Sequence, residues 1–220
     1  MKIAISGGHF TPALAVFESL QKTDPNVLVL FMGRKYAFGN DLSLSLEYKT
    51  LANEKNIIFI NAISGRLQRF FTFQNVLLPL TLLGGFFQSL YYLHKFKPDV
   101  ILSFGGYLSV PMVIAGWFLM IPVVSHEQGF VPGIATKINT FFSGKICISW
   151  EESRKYFPAS KTILTGNPIR SDLCQTDKKP NAIPFFNFKL PIIFVTGGNQ
   201  GSHVINMIVK ELLPYLLTRY

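Results

Sequence analysis

Short runs of β-branched and other apolar residues recur at Lys2–Ser6, Val27–Met32, Ile57–Ile60, Asp99–Ser103, Ile121–Ser125, Lys145–Ser149, Lys161–Thr165 and Ile192–Thr196. Between most of them the apolar positions change to a helical period, as over Thr11–Lys22, Leu42–Glu54 and Pro132–Phe142. Strands that are apolar throughout, alternating with such helices, predict an α/β chain whose parallel sheet is covered on both faces. Ligands of such sheets collect beyond the carboxyl ends of the strands. At those ends this sequence repeatedly places a small, polar or glycine-rich cluster: SGGH, SFGGY, SHEQG, TGNPIR and TGGNQG.

The periodicity fails between residues 166 and 191, where four prolines and clustered charges read as a linker. The predicted organisation is an N-terminal domain over 1–165, the linker over 166–191, and the opening of a second domain over 192–220. One strand, one glycine loop and one helix cannot bury both their faces, so the second domain is expected to be cut short. SGGH and TGGNQG hold equivalent places, each closing the first strand of its domain.

Composition narrows the class. Of the 220 residues 49% are hydrophobic, enough for a sizeable core and too many for a disordered chain. The formal charge of +9 turns attention to anionic partners. Cys147 and Cys174 form no CxxC pair and no Cys/His cluster, which argues against a zinc site or disulfide framework. The apolar start is broken at once by Ser6, Gly7 and Gly8, unlike a signal peptide. Phe70–Leu93 contains no charged residue, long enough for a membrane span. It also contains Gln74, Asn75, Pro79, Gly84, Gly85 and Gln88, with Arg66 and Arg69 before it and His94, Lys95 and Lys97 after it. The pattern fits two helices broken near Pro79 or Gly84 and lying on a membrane surface; a buried crossover helix is the plain alternative. The positive charge is scattered and forms no stripe, so nucleic acid is not expected as a partner.

The strand-end clusters carry the candidate chemistry. Gly197, Gly198 and Gly201 stand between a strand and a helix, where glycines let a backbone approach phosphate closely. The spacing is neither the dinucleotide fingerprint nor the P-loop, and a purely structural turn fits it too. Gly105 and Gly106 allow a tight turn before Tyr107, a residue able to stack on a sugar or base. His126, Glu127 and Gln128 are three adjacent polar groups at a strand end, where a structural role for His126 stays open. His9 closes the first strand. A neutral imidazole there suits a general base; capping the helix or binding phosphate would explain it as well. No Asp-x-Asp occurs, so no metal held by paired carboxylates is expected.

The ordered set GGHxxPALA, SFGGYxSxP, HEQxxxPG, TGNPIR and TGGxQG resembles the MurG family of bacterial peptidoglycan glycosyltransferases. The resemblance implies a GT-B fold of two Rossmann-like domains and no cofactor or metal. It implies inverting transfer of GlcNAc from UDP-GlcNAc to the 4-hydroxyl of MurNAc-pentapeptide on undecaprenyl diphosphate, at the cytoplasmic face of the bacterial cell membrane. It assigns His9 as catalytic base and Ser6, Gly7, Gly8, Gly129, Arg170, Asn199, Gln200 and Gly201 to the nucleotide-sugar donor. Gly105, Gly106, Tyr107, His126, Glu127 and Gln128 fall to the acceptor, and the basic-flanked apolar region to an anionic membrane surface.

Three departures accompany the match. SGGH is shorter than the family's usual GGTGGH; Gly129 stands in place of an asparagine; Asn199 stands in place of a serine. The sequence also stops before the family's remaining donor residues, so this chain alone is expected to be an incomplete catalyst. The rival reading is a non-catalytic, membrane-recruiting acceptor half of a split glycosyltransferase. A dinucleotide-dependent oxidoreductase is disfavoured by the missing fingerprint and its missing acidic partner.

Overall fold

A computed structural model describes residues 1–38, 41–63, 78–173, 193–197 and 202–219. The chain divides into two compact units, Met1–Cys174 and Gln175–Tyr220. The first unit is built on seven strands: β1 (Lys2–Ser6), β2 (Leu28–Gly33), β5 (Ile57–Asn61), β6 (Val100–Ser103), β7 (Val123–Glu127), β8 (Lys145–Ile148) and β9 (Thr162–Leu164). All pair in parallel in the order β5-β2-β1-β6-β7-β8-β9. The chain thus builds outward from β1 in one direction, then returns to the other side of it at β6. That reversal leaves a crevice beyond the ends of β1 and β6.

Period-2 alternation explains why the strands read as continuously apolar. Ile3 and Ile5 of β1 point to one face, where they pack with Phe10, Leu14 and Phe17 of α1 (Phe10–Thr23). Ala4 points to the other, with Leu93 of α3 (Leu78–Phe96) and Met112 and Val113 of α4 (Ser109–Phe118). The central strands β1 and β2 are buried on both faces and are apolar along most of their length, whereas the edge strands β5 and β9 are partly exposed. Phe31 of β2 stacks on Phe59 at 5.7 Å and meets Phe10 edge-on at 6.1 Å, forming an aromatic floor under the first glycine loop.

The segment Leu42–Glu54, expected as one helix, instead contains an antiparallel pair, β3 (Tyr36–Phe38) with β4 (Asp41–Leu44), followed by the short α2 (Leu46–Leu51). Ser45 decides this: its Oγ accepts from the Tyr48 amide at 3.1 Å and donates to the Arg34 carbonyl, starting the helix late. The helix α5 (Ile134–Phe142) starts two residues after Pro132. The stretch Ile192–Thr196, expected as a strand, is irregular over 193–197. A strand exists only through a pairing neighbour, and no other strand occurs among the described residues of the second unit. That unit's regular element is α6 (His203–Arg219).

In the charge-free region the expected break near Gly84 is absent, and α3 is the crossover helix between β5 and β6. Residues 70–77 lie outside the described residues; from Leu78 to Phe96 there is one helix, unbroken at Gly84 and Gly85. Pro79 falls in its first turn, where a missing N–H removes no helical bond. Gln88 serves the fold, accepting from the Ile63 amide at 2.7 Å and donating to the Asn61 carbonyl at 3.0 Å, so it secures the chain as it leaves β5. No helix among the described residues is long and apolar enough to cross a membrane.

The two glycines differ in kind. A methyl group on Gly85 would sit 2.4 Å from the Ile63 carbonyl oxygen, whereas one on Gly84 would make an ordinary 3.4 Å contact with Ile63 Cγ2. Gly84→Ala should stabilise the protein by up to about 1 kcal/mol through helix propensity. Gly85→Ala should destabilise it by about 1–2 kcal/mol, because overpacking against backbone outweighs that gain. Urea unfolding of the two variants checks both signs.

Candidate functional site

The crevice is walled by two loops that touch backbone to backbone. The first, Ser6–Gly7–Gly8–His9, leaves β1 with the Gly7 amide donating to the Met32 carbonyl at 2.7 Å. The second, Phe104–Gly105–Gly106–Tyr107, leaves β6 with Gly105 and Gly106 both left-handed, at φ 71° and 74°. A side chain on Gly8 would fall 1.8 Å from the Gly105 carbonyl oxygen, and one on Gly106 would fall 2.9 Å from Gly8 Cα. Glycine at 8 is therefore demanded by contact, at 105 by conformation, and at 106 by both.

A polar network behind the second loop holds it. Asn139 of α5 is fully buried and donates to Ser109 Oγ at 2.7 Å and Ser103 Oγ at 3.2 Å. The hydroxyl and amide of Ser109 both donate to the Gly106 carbonyl, at 2.7 and 3.1 Å. Thr136, also buried, lies under Gly105: its Oγ1 is 3.1 Å from where a Gly105 side chain would begin. Ser103 and Ser109 stand in the SFGGYxSxP motif, but no motif marks Asn139 or Thr136. Their one linear signal is a pair of polar residues on the inward side of a helix.

His9 stands at the N-cap of α1 with φ −108° and ψ 100°, but its side chain makes no capping bond. A capping role is thereby removed. Its residue surface is exposed at the crevice, while the second loop crowds its ring, with Cδ2 3.7 Å from the Gly105 side-chain position. Burial lowers the His9 pKa below the ordinary imidazole value, against an upward pull from the Glu127 carboxylate. The lowered pKa favours the neutral imidazole, the form that can accept a proton.

His126, Glu127 and Gln128 end β7 beside it. His126 is buried; its Nε2 donates to the Gly166 carbonyl at 3.1 Å, and its ring lies 5.8 Å from that of Phe104. Burial lowers its pKa too, with the Gly166 bond and Glu127 raising it and His9 lowering it further. Glu127 is buried and accepts from the Gly129 amide at 2.9 Å, which turns the loop. Gln128 presents its carbonyl to Trp150 Nε1 at 3.0 Å. Ser6, Gly7, Gly8, His9, Gly105, Gly106, Tyr107, His126, Glu127, Gln128 and Gly129 thus share one edge of the sheet.

Arg170 does not join them. Its guanidinium lies against Asp172 at 2.9 Å and Glu18 of α1 at 3.3 Å, tying the end of the first unit to the flank of that helix. Asn199, Gln200 and Gly201 lie outside the described residues. Arg34 was not marked by any motif, yet it belongs to the crevice: it follows β2 and places its guanidinium carbon 5.9 Å from the centre of the Tyr107 ring. Among the described residues no cluster of three or more His, Cys, Asp or Glu could hold a metal ion.

Residues 6–148 match the glycosyltransferase family 28 N-terminal domain. The chain is 36% identical over 217 residues to the UDP-N-acetylglucosamine–N-acetylmuramyl-(pentapeptide) pyrophosphoryl-undecaprenol N-acetylglucosamine transferase 2 of Bacillus anthracis, covering 98% of this chain and 58% of that protein. It is 35% identical to the corresponding transferase of Treponema denticola, over 98% of this chain and 56% of the relative. Among solved structures, Acinetobacter baumannii MurG superimposes with a TM-score of 0.56 at 25% identity, over 81% of this chain and 48% of that one. The Methanocaldococcus jannaschii UDP-GlcNAc 2-epimerase, at 0.56 and 16% identity over 76% of this chain and 47% of that one, shares the fold. The chain spans a little over half the length of the curated relatives it matches. With the family match running from the first glycine loop to the end of β8 and the transferases aligned over nearly all its residues, the chain belongs to glycosyltransferase family 28.

Proposed function

We propose that this protein moves GlcNAc from UDP-GlcNAc to the 4-hydroxyl of MurNAc-pentapeptide carried on undecaprenyl diphosphate, with residues 1–165 as the acceptor-binding domain. Residues 166–191 serve as the linker, and 192–220 open the donor-binding domain, with Asn199, Gln200 and Gly201 on the nucleotide sugar. The observation that carries the reading is His9: a crevice-facing imidazole, uncommitted to capping and held neutral by the loops around it.

In this mechanism the His9 ring takes the proton of the acceptor 4-hydroxyl as its oxygen attacks the anomeric carbon. The bond to UDP breaks on the opposite side, with inversion, and UDP leaves with the bonding electrons. The two glycine loops bring backbone close to the acceptor diphosphate, and Glu127 stabilises the imidazolium as it forms. Arg170, paired with Glu18 and Asp172, must leave those partners to serve the donor.

Peripheral attachment to the cytoplasmic face of the bacterial cell membrane completes the proposal. Leu80, Leu83, Phe87 and Tyr91 form an exposed apolar stripe along α3, with His94, Lys95 and Lys97 at its end. Phe118 joins it through an edge-on contact with Phe86 at 6.4 Å, and Trp117 is exposed alongside. Apolar side chains flanked by cations suit an anionic lipid surface.

Vesicles containing phosphatidylglycerol should therefore sediment the chain. High salt or alkaline pH should release it without detergent, and Phe87→Glu should weaken the attachment. Release by detergent alone would contradict a peripheral mode.

For the chemistry, His9→Ala in a protein completed at its C-terminal half should lower kcat by roughly 10²–10⁴-fold and leave both KM values nearly unchanged. The His9 pKa is lowered, so the base stays neutral to lower pH than a free imidazole. The acid limb of the rate profile should accordingly fall below about pH 6.5. Steady-state kinetics with a soluble acceptor analogue, beside a thermal melt, checks this; a variant within a few-fold of wild type would remove His9 from the role.

A further inference from the structure

We propose that Arg34 is the cation that grips the diphosphate of the lipid-linked acceptor, an inference that rests on the acceptor reading above. Arg34 follows β2 and Tyr107 follows β6, and β1 lies between them. Two strand spacings amount to roughly 10 Å. The guanidinium carbon nevertheless lies 5.9 Å from the centre of the Tyr107 ring. The two side chains therefore meet across the end of β1, the strand that the Ser6–Gly7–Gly8 turn follows.

Its root is fixed on both sides. The Arg34 amide donates to Glu47 Oε1 at 2.8 Å, and the Arg34 carbonyl accepts from Ser45 Oγ. Glu47 and Ser45 are both buried, so the backbone that carries the guanidinium is set before any ligand arrives. The Glu47 carboxylate also feels the Arg34 charge, which a bound diphosphate would share. Lys35, the next cation, lies instead over the rings of Tyr36 and Tyr48, at 5.6 and 5.3 Å.

The charge balance of the crevice calls for this residue. Glycine loops bring backbone amides to phosphate but no full positive charge. Their neighbours His9 and His126 are imidazoles crowded by protein, and Glu127 is a carboxylate. A diphosphate placed there needs a cation, and a guanidinium supplies one with a planar fork of N–H donors that matches two phosphate oxygens. An aromatic face beneath it holds the plane in position.

Geranyl diphosphate, titrated by calorimetry against the full 220-residue chain, tests this. Arg34→Gln should bind at least about tenfold more weakly than wild type and show a shallower salt dependence, with its melting temperature nearly unchanged. Arg34→Lys, which keeps the charge and loses the fork, should fall between them. Equal binding by wild type and Arg34→Gln would overturn the inference and leave the acceptor reading standing. A wild-type chain that binds no geranyl diphosphate would remove both. Binding lost equally in both variants, together with the melting temperature, would mean that the side chain is structural, and overturns the inference. Titration with UDP separates the two diphosphate sources: UDP binding that disappears in Arg34→Gln while geranyl diphosphate binding persists would give the cation to the donor and overturn the proposal.

Discussion

The contact between Gly8 and the Gly105–Gly106 turn is the constraint from which the rest of the crevice follows. Strand order places the ends of β1 and β6 side by side, and with no side chain at these positions the two turns close onto each other as bare backbone. Any side chain at Gly8 would meet the carbonyl oxygen of Gly105, a backbone atom of the turn that follows β6. The contact sets how far His9 stands from Glu127, because His9 follows the first turn directly and β7 is hydrogen-bonded to β6 in fixed register. Burial of the ring by the packed loops lowers the His9 pKa, and the Glu127 carboxylate pulls the other way.

Holding two glycine-rich turns in place needs support from elsewhere, since glycine gives up more conformational freedom on ordering than other residues do. The first turn rests on Phe31, with Phe10 and Phe59 around it. The second is held by hydrogen bonds through Ser109 to Asn139. One support is apolar and the other polar, and the difference follows from the neighbours. Beneath the first turn lies the α1 face of the sheet, with its Ile and Phe side chains; behind the second lies the α4–α5 junction, where the Gly106 carbonyl would otherwise be buried without a donor.

Seven of the eight β-type runs in the sequence are strands of one parallel sheet; the central ones are buried on both faces, and the edge strands β5 and β9 are apolar although partly exposed. The eighth, Ile192–Thr196, has the same signature without a partner among the described residues, and apolar character alone does not make a strand. The Ser45 cap and the continuity of α3 through Gly84–Gly85 were illegible for a related reason. Each depends on a residue distant in sequence, the Arg34 carbonyl in one case and the Ile63 backbone in the other. In the crevice, the glycines and histidines were legible as motifs. Asn139, Glu47 and Arg34 were not, since each acts through a contact with a residue distant in sequence.

The direction of α3 connects the crevice with the apolar stripe. As the crossover between parallel β5 and β6, this helix must run back along the sheet, beginning near the edge where the glycine loops lie and ending at the opposite edge beside Lys97. Leu80 and Leu83 therefore lie toward the crevice end of the stripe, and Tyr91 and Lys95 toward the far end. A water-soluble acceptor would place no demand on this arrangement. The lipid-linked acceptor proposed above would, because its diphosphate would have to enter the crevice while its hydrocarbon chain stayed in the bilayer. The two surfaces must then meet at one end of the molecule, and a crossover helix with an apolar outer face provides that junction without an additional element. The α3 contact at Gly85 matters for this reason as well: it fixes the helix against Ile63 and Pro111, and so fixes the angle at which the stripe leaves the crevice edge.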